Sequence, residues 1–194
     1  MIEKILQSGV LPMEYVKKLA GERVYLSPMR LEDAEQYVRW LNDPAVTDGL
    51  GTTQQVFGPE GERKWLAENE GEFQFAIVRQ TDDTLIGNCG IQNIQWQRRS
   101  AEMGLFIGDV ENRGRGYGKE VLRLLLAFAF DTLGLHSVSL KVFSFNAPAI
   151  AAYKAVGFRP AGCRREAYFV RGAWHDELTM DLLESEYRAG QKKN

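Results

Sequence analysis

The spacing of apolar residues along this chain switches repeatedly between two and three-to-four, and the switches divide it into elements. Arg23-Val24-Tyr25-Leu26 reads as a short strand. From Leu31 to Leu41 the positions Leu31, Ala34, Tyr37, Val38 and Leu41 recur at helical spacing, and Asn42-Asp43-Pro44 ends the run. A loop rich in Gly and Thr follows, and Gly58-Pro59-Glu60-Gly61 leads into a second helical stretch through Trp65 and Leu66. Phe73 to Val78 and Thr84 to Ile91 read as an antiparallel hairpin turning at Gln80-Thr81-Asp82-Asp83, and Ser100 to Ile107 continues the meander. A long helix is predicted from about Tyr117 to Thr132, with Val121, Leu124, Leu125 and Phe128 on its buried face and Gly134 as its stop. Ser137 to Phe143 gives the parallel strand expected after such a crossover. Asn146 opens another helix, through Ala149, Ile150 and Tyr153, which Gly157 ends; strands around Arg164 to Val170 and Trp174 to Leu182 form a closing hairpin across Arg171-Gly172. The order β-α-α-β-β-β-α-β-α-β-β predicts a mixed sheet covered by helices.

At 194 residues with 44% hydrophobic content, the chain is the size of one domain with a substantial core. We place that domain at residues 20–186, after an N-terminal extension, 1–19, and before a polar C-terminal tail, 187–194. The extension carries a partly helical pattern broken around Gly9 and Pro12; a short packed helix, a dimer contact and a mobile leader all fit it. A formal charge of −2 argues against a broad nucleic-acid footprint, and Arg98-Arg99 and Arg164-Arg165 read as solvated local pairs. Cys89, Cys163 and two separated histidines offer no metal-ligand spacing. With no signal-peptide pattern and no membrane-spanning stretch, a reduced, cytoplasmic protein is expected.

The chemistry begins at Arg113-Gly114-Arg115-Gly116-Tyr117-Gly118-Lys119, which joins a strand to a helix. Glycines there permit positive φ and close approach of a ligand, and the N–H groups opening the helix form an anion site. Phosphate-binding architecture results, and residue order excludes two forms of it. A P-loop requires Ser or Thr after Gly-Lys, whereas Lys119 is followed by Glu120; a Rossmann fingerprint spaces its glycines G-x-G-x-x-G early in a βαβ unit.

Arg113, Gly116 and Gly118 instead match the R/Q-x-x-G-x-G/A signature of the GCN5-related N-acetyltransferases (GNAT). Two more segments carry the resemblance. Asn146 to Phe158 is similar to that family's N-x-x-A-x-x-x-Y-x-x-x-G-F helix, and Val24 to Ala34 resembles the opening of the branch containing ribosomal-protein N-terminal (RimJ/RimL-type) and spermidine acetyltransferases. The connection Gly108 to Asn112 is about one residue longer than the commonest form of this loop.

The resemblance implies an α/β GNAT-type fold, with a mixed, mostly antiparallel sheet of about seven strands and helices on both faces. It also implies an acetyl-CoA-dependent N-acetyltransferase needing no metal. The acetyl group would pass to a primary amine, a protein N-terminal α-amine or a small molecule, by direct attack in a ternary complex. Three alternatives stay open: a polyamine acetyltransferase, an antibiotic acetyltransferase and a non-catalytic CoA-binding sensor or structural module. Homodimerisation through the C-terminal strands or the leader is compatible with it.

An amine acceptor must lose a proton, so a carboxylate base is expected, directly or through water; a protonated phenol suits the leaving thiolate. Glu102, on the strand beside the loop where the family often places its base, is the first candidate. His175, Asp176 and Glu166 are lesser ones. Tyr153 is the expected acid, and Asn146 either an N-cap, a cofactor contact or both. Backbone N–H groups near Phe106 and Ile107 are the expected donors to the acyl carbonyl, and amides from Arg115 to Lys119 the pyrophosphate cradle. The side chains of Arg113 and Arg115 reach nucleotide phosphates on one reading and are solvated on the other.

Overall fold

A computed structural model describes residues 14–69 and 73–191. Its strands are β1 (Leu19–Ala20), β2 (Val24–Pro28), β3 (Gln74–Arg79), β4 (Thr84–Gln95), β5 (Ser100–Ile107), β6 (Ser137–Phe143), β7 (Arg159–Val170) and β8 (Ala173–Leu183). They form one sheet in the order β1-β2-β3-β4-β5-β6-β8-β7. Only β5 and β6 run parallel; every other neighbouring pair is antiparallel. The sheet is therefore mixed and mostly antiparallel, with eight strands among the described residues rather than about seven. The additional strand is β1, at the end of the leader, where Leu19 lies opposite Leu26 and the Lys18 N–H donates to the Leu26 carbonyl at 2.9 Å. Residues 1–13 of the leader lie outside the described residues, as do 192–194.

The helices are α1 (Ala34–Leu41), α2 (Pro44–Leu50), α3 (Pro59–Glu68), α4 (Tyr117–Ala127), α5 (Ala147–Ala155) and α6 (Glu184–Gln191). Alternation along the strands sends side chains to two cores. On one face Leu26, Ile77, Met103, Val138, Leu140 and Met180 pack with Val121, Leu122 and Leu125 of α4 and with Tyr153 of α5. On the other, Tyr25, Ala76 and Val78 meet Ala34, Tyr37 and Trp40 of α1 and Leu66 of α3. Helices thus cover both faces.

Several boundaries differ from the sequence pattern: β4 runs on to Gln95 and β7 begins at Arg159, and three further differences have local reasons. Pro44 starts a helix instead of ending one: Asp43 caps α2 through the Ala45 N–H at 2.8 Å, and a proline at the first helical position has no N–H to waste. The long helix keeps its predicted span, but its last turn, Phe128–Thr132, is π-helical. The domain boundary at 186 and the start of the polar tail fall within one helix, α6, whose Tyr187 packs on Phe130 at 5.0 Å and whose Arg188 pairs with Asp131. Among the described residues, no helix is long and apolar enough to cross a membrane, and no group of three or more His, Cys, Asp and Glu is placed to hold a metal ion.

Candidate active site

The glycine turn and the first turn of α4 meet the end of β5. Gly114 and Gly116 take φ values of +70° and +84°, the left-handed region that glycine enters without strain. No side chain caps α4, unlike α2 and α5, so the N–H groups of its first turn remain available. Gly118 is helical and brings α4 against β5; a Cβ built there meets only Leu105 Cδ1, at 3.7 Å, which explains why the motif accepts Ala at this place. The longer connection after β5 is absorbed by a short 3-10 turn, Val110–Asn112, and anchored by the Trp40 indole N–H donating to Asp109 Oδ1 at 2.8 Å.

The Arg113 side chain folds back into the protein. Its Nε donates to the Ile107 carbonyl at 3.1 Å, and its terminal nitrogens to the carbonyls of Gly108 at 2.7 Å and Ala45 at 2.8 Å. It braces the loop against β5 and α2. Arg115 and Lys119 are exposed, and Tyr117 is half-buried.

Beside this turn the sheet opens. Pairing between β5 and β6 ends at Glu102 opposite Ser139; beyond it, Met103 to Ile107 and Leu140 to Phe143 diverge without pairing. Gly104 borders the opening, and a Cβ built there would meet nothing within 4 Å. Register decides which amides face it. The Gly108 N–H donates to Ile86 at 2.9 Å, and β4 and β5 pair without a shift from Gly87/Ile107 to Gln92/Glu102. Residues two and four before Gly108 therefore also bond toward β4. This corrects the expectation for Phe106, whose N–H and carbonyl turn toward Asn88; the amides directed into the opening are those of Leu105 and Ile107. The Phe106 ring instead packs edge-on against Trp40 at 6.0 Å.

Glu102 and Tyr153 occupy opposite faces of the sheet. Glu102 projects on the side away from α4, where Lys141 Nζ lies 3.3 Å from its Oε1, and lines a shallow depression with Arg98, Ser139 and Asp181. Its ion-pair partner is a lysine, itself 55% exposed, so the carboxylate stays accessible. Tyr153 is buried on the α4 side, against Phe158 at 6.0 Å. Burial alone pushes its phenol up to about 12. Asn146 caps α5 through the Ala149 N–H at 3.3 Å.

The lesser candidates have structural employment. Asp176 Oδ1 accepts from the Glu166 N–H at 2.9 Å, across the irregular stretch of β7 between Arg164 and Tyr168, and the His175 ring packs on Phe145 at 4.7 Å. His175 thereby joins an aromatic wall in which Phe143 stacks on Tyr168 at 4.5 Å and on Phe145 at 5.6 Å. Segment 44–57 covers the end of β6: a Cβ at Gly51 would come within 3.0 Å of the Phe143 ring, and Asp48 pairs with Arg171 of the closing hairpin at 2.6 Å.

A family model described as an acetyltransferase (GNAT) domain matches residues 23–159, which include the glycine turn, the opening and Tyr153. The chain belongs to the GNAT acetyltransferase family. It is an acetyl-CoA-dependent acyltransferase. Among curated relatives, an uncharacterized N-acetyltransferase p20 from Bacillus licheniformis is 28% identical over 89% of this chain and 99% of its own length. A spermidine N(1)-acetyltransferase from Vibrio cholerae is 31% identical over 57% of this chain and 64% of its own length. The fold matches a solved spermidine N-acetyltransferase from Vibrio cholerae, in complex with CoA and spermine, at a TM-score of 0.77 and 22% identity, over 87% of this chain and 99% of that one.

For this GNAT chain, the glycine turn adjoins β5 through Arg113 on the Ile107 carbonyl and Gly118 beside Leu105, and Asn146 follows β6, its N–H donating to the Phe143 carbonyl at 2.9 Å. The Leu105 amide escaped sequence reasoning, because it needed the strand register, which the pattern alone leaves free by one residue.

Proposed function

We propose that this protein transfers the acetyl group of acetyl-CoA to a primary amine by direct attack in a ternary complex. One observation supports the reading above others: β5 and β6 part immediately beyond Glu102, beside an uncapped helix N-terminus entered through two left-handed glycines. The amides from Gly116 to Lys119 hold the pyrophosphate, aided by the helix dipole. Bound acetyl-CoA supplies the thioester acetyl group. The Leu105 and Ile107 N–H groups donate to its carbonyl oxygen, and Arg113 keeps that stretch of β5 in place through the Ile107 carbonyl.

Division of the two proton-handling groups between opposite faces suits the chemistry. Glu102 stands on the acceptor side, with Lys141 Nζ 3.3 Å from its Oε1, and takes the amine proton directly or through a water. Tyr153 stands on the donor side as a neutral phenol, and desolvation there raises the proton affinity of a departing thiolate as well as its own. The acceptor would lie against Phe143, Phe145 and Tyr168, under the segment that carries Asp48. This surface accommodates a peptide N-terminus or a small amine.

A polyamine is a second reading, favoured by the half-buried carboxylates Asp48 and Glu177 beside that aromatic wall. Both are ion-paired to exposed arginines, which an incoming cation would displace. Incubation with acetyl-CoA, a thiol reagent and a panel of peptides, polyamines and aminoglycosides tests the proposal. Amine-dependent thiol release supports it. CoA binding with no release across the panel would indicate a non-catalytic CoA-binding module.

A further inference from the structure

Glu120 lies in the first turn of α4, where its charge would be expected to compete with a phosphate for the same amides. The structure turns it the other way. Oε1 accepts from the Arg23 N–H at 2.8 Å and the Val24 N–H at 3.3 Å, and Oε2 from Arg23 Nε at 3.0 Å. The carboxylate thus closes the start of β2 against α4. Gly21 makes room for it: a Cβ there would stand 2.3 Å from Glu120 Oε1. Burial works to neutralise Glu120, but the two backbone N–H groups and the guanidinium outweigh it and leave the carboxyl below its ordinary range.

The other edge of the Arg23 guanidinium reaches the glycine turn. Nη1 donates to the Arg115 carbonyl at 2.9 Å, and Nη2 approaches the Gly116 carbonyl at 3.5 Å. In a planar trans peptide the carbonyl and the next N–H point in opposite directions. Holding the carbonyls of Arg115 and Gly116 therefore aims the N–H groups of Gly116 and Tyr117 away from Arg23, toward the outer side of the turn. A glycine-rich turn has many accessible peptide orientations, and a fixed guanidinium selects one.

We propose that Arg23 and Glu120 form a positioning clasp that presets the peptide planes of the pyrophosphate cradle, Arg23 holding the carbonyls and Glu120 holding Arg23. Neither side chain touches the donor. The inference rests on the acetyl-CoA reading above, and it predicts a defect confined to donors that carry a pyrophosphate.

The test compares acetyl-CoA with S-acetylpantetheine, which has the same thioester but no pyrophosphate, in the full chain and in Arg23→Met, Arg23→Lys and Glu120→Gln. In Arg23→Met and Glu120→Gln, KM for acetyl-CoA should rise on the order of 10-fold, the size of one or two lost amide contacts to an anion. The kcat/KM for S-acetylpantetheine and the acceptor KM should stay within about 2-fold. Arg23→Lys, which can hold one carbonyl but not bracket two, should fall between Arg23→Met and the parent. Equal losses with both donors, or an unchanged KM for acetyl-CoA, overturn the clasp; should Arg23→Met fail to fold, Arg23→Lys and Glu120→Gln decide the same comparison. A parent protein that transfers acetyl from both donors equally well would overturn the pyrophosphate cradle itself.

Discussion

Alanine placed at Gly116 and at Gly118 adds one methyl group to the same turn at sites two residues apart, with opposite expected results. At Gly116, φ of +84° costs an L-residue about 1–2 kcal/mol. The new Cβ would also stand 3.1 Å from Arg23 Nη2 and 3.2 Å from Nη1. The guanidinium can move, but only by leaving the carbonyls it holds, a net loss of about 1 kcal/mol. The total of about 2–3 kcal/mol corresponds to CoA binding weakened roughly 30- to 150-fold if the turn relaxes at the expense of its amides. Gly118 is helical and its Cβ finds Leu105 Cδ1 at an ordinary 3.7 Å, so Gly118→Ala should bind CoA within about 3-fold of the parent and melt no lower, since alanine favours a helix over glycine by about 1 kcal/mol. Calorimetric titration with CoA, alongside thermal melts, measures both. Parental binding by Gly116→Ala, or an equal loss in Gly118→Ala, would refute the reasoning.

Other consequences follow from the same geometry. Gly116→Asp should abolish acetyl-CoA binding while the domain still melts cooperatively, since strain and a negative charge are added to a surface site; calorimetry and circular dichroism read the two together. Tyr153→Phe should lower kcat roughly 100- to 10,000-fold with CoA affinity nearly unchanged. Because burial raises the Tyr153 phenol to about 12, it stays protonated throughout the neutral and moderately alkaline range, and no loss of rate from its ionisation should appear between pH 7 and pH 10. A falling limb there that vanishes in Tyr153→Phe would contradict the raised phenol, and an unchanged kcat in Tyr153→Phe would contradict its assignment as the acid. Leu125→Ala, at a fully buried site on α4, should cost about 2–5 kcal/mol in denaturant unfolding.

Strand β5, the glycine turn and α4 were legible in the sequence because local signals coincide there: apolar alternation, glycines at fixed offsets, then helical spacing. The span of β6 was equally plain from its alternation of Val138, Leu140 and Val142. Segments whose conformation depends on distant partners were not. Pro44 reads as a helix stop until Asp43 is seen capping the next helix, and α6 reads as a polar tail until Tyr187 finds Phe130. The same division runs through the candidate site. The family motif singles out Arg113, but not that its side chain turns inward to the carbonyls of Ile107, Gly108 and Ala45. Glu120, which sequence order alone sets against a phosphate, is reconciled with one by Arg23, 97 residues away in the chain.

The proposed route, an amine attacking acetyl-CoA directly between diverging strands, is tested most directly with isotope-labelled acetyl-CoA followed by mass spectrometry of both enzyme and acceptor. Label should accumulate on the acceptor amine only when acceptor is present, with no acetylated enzyme before it and with intersecting initial-velocity lines. Label retained on the enzyme with parallel lines, or none transferred to any amine, would contradict it.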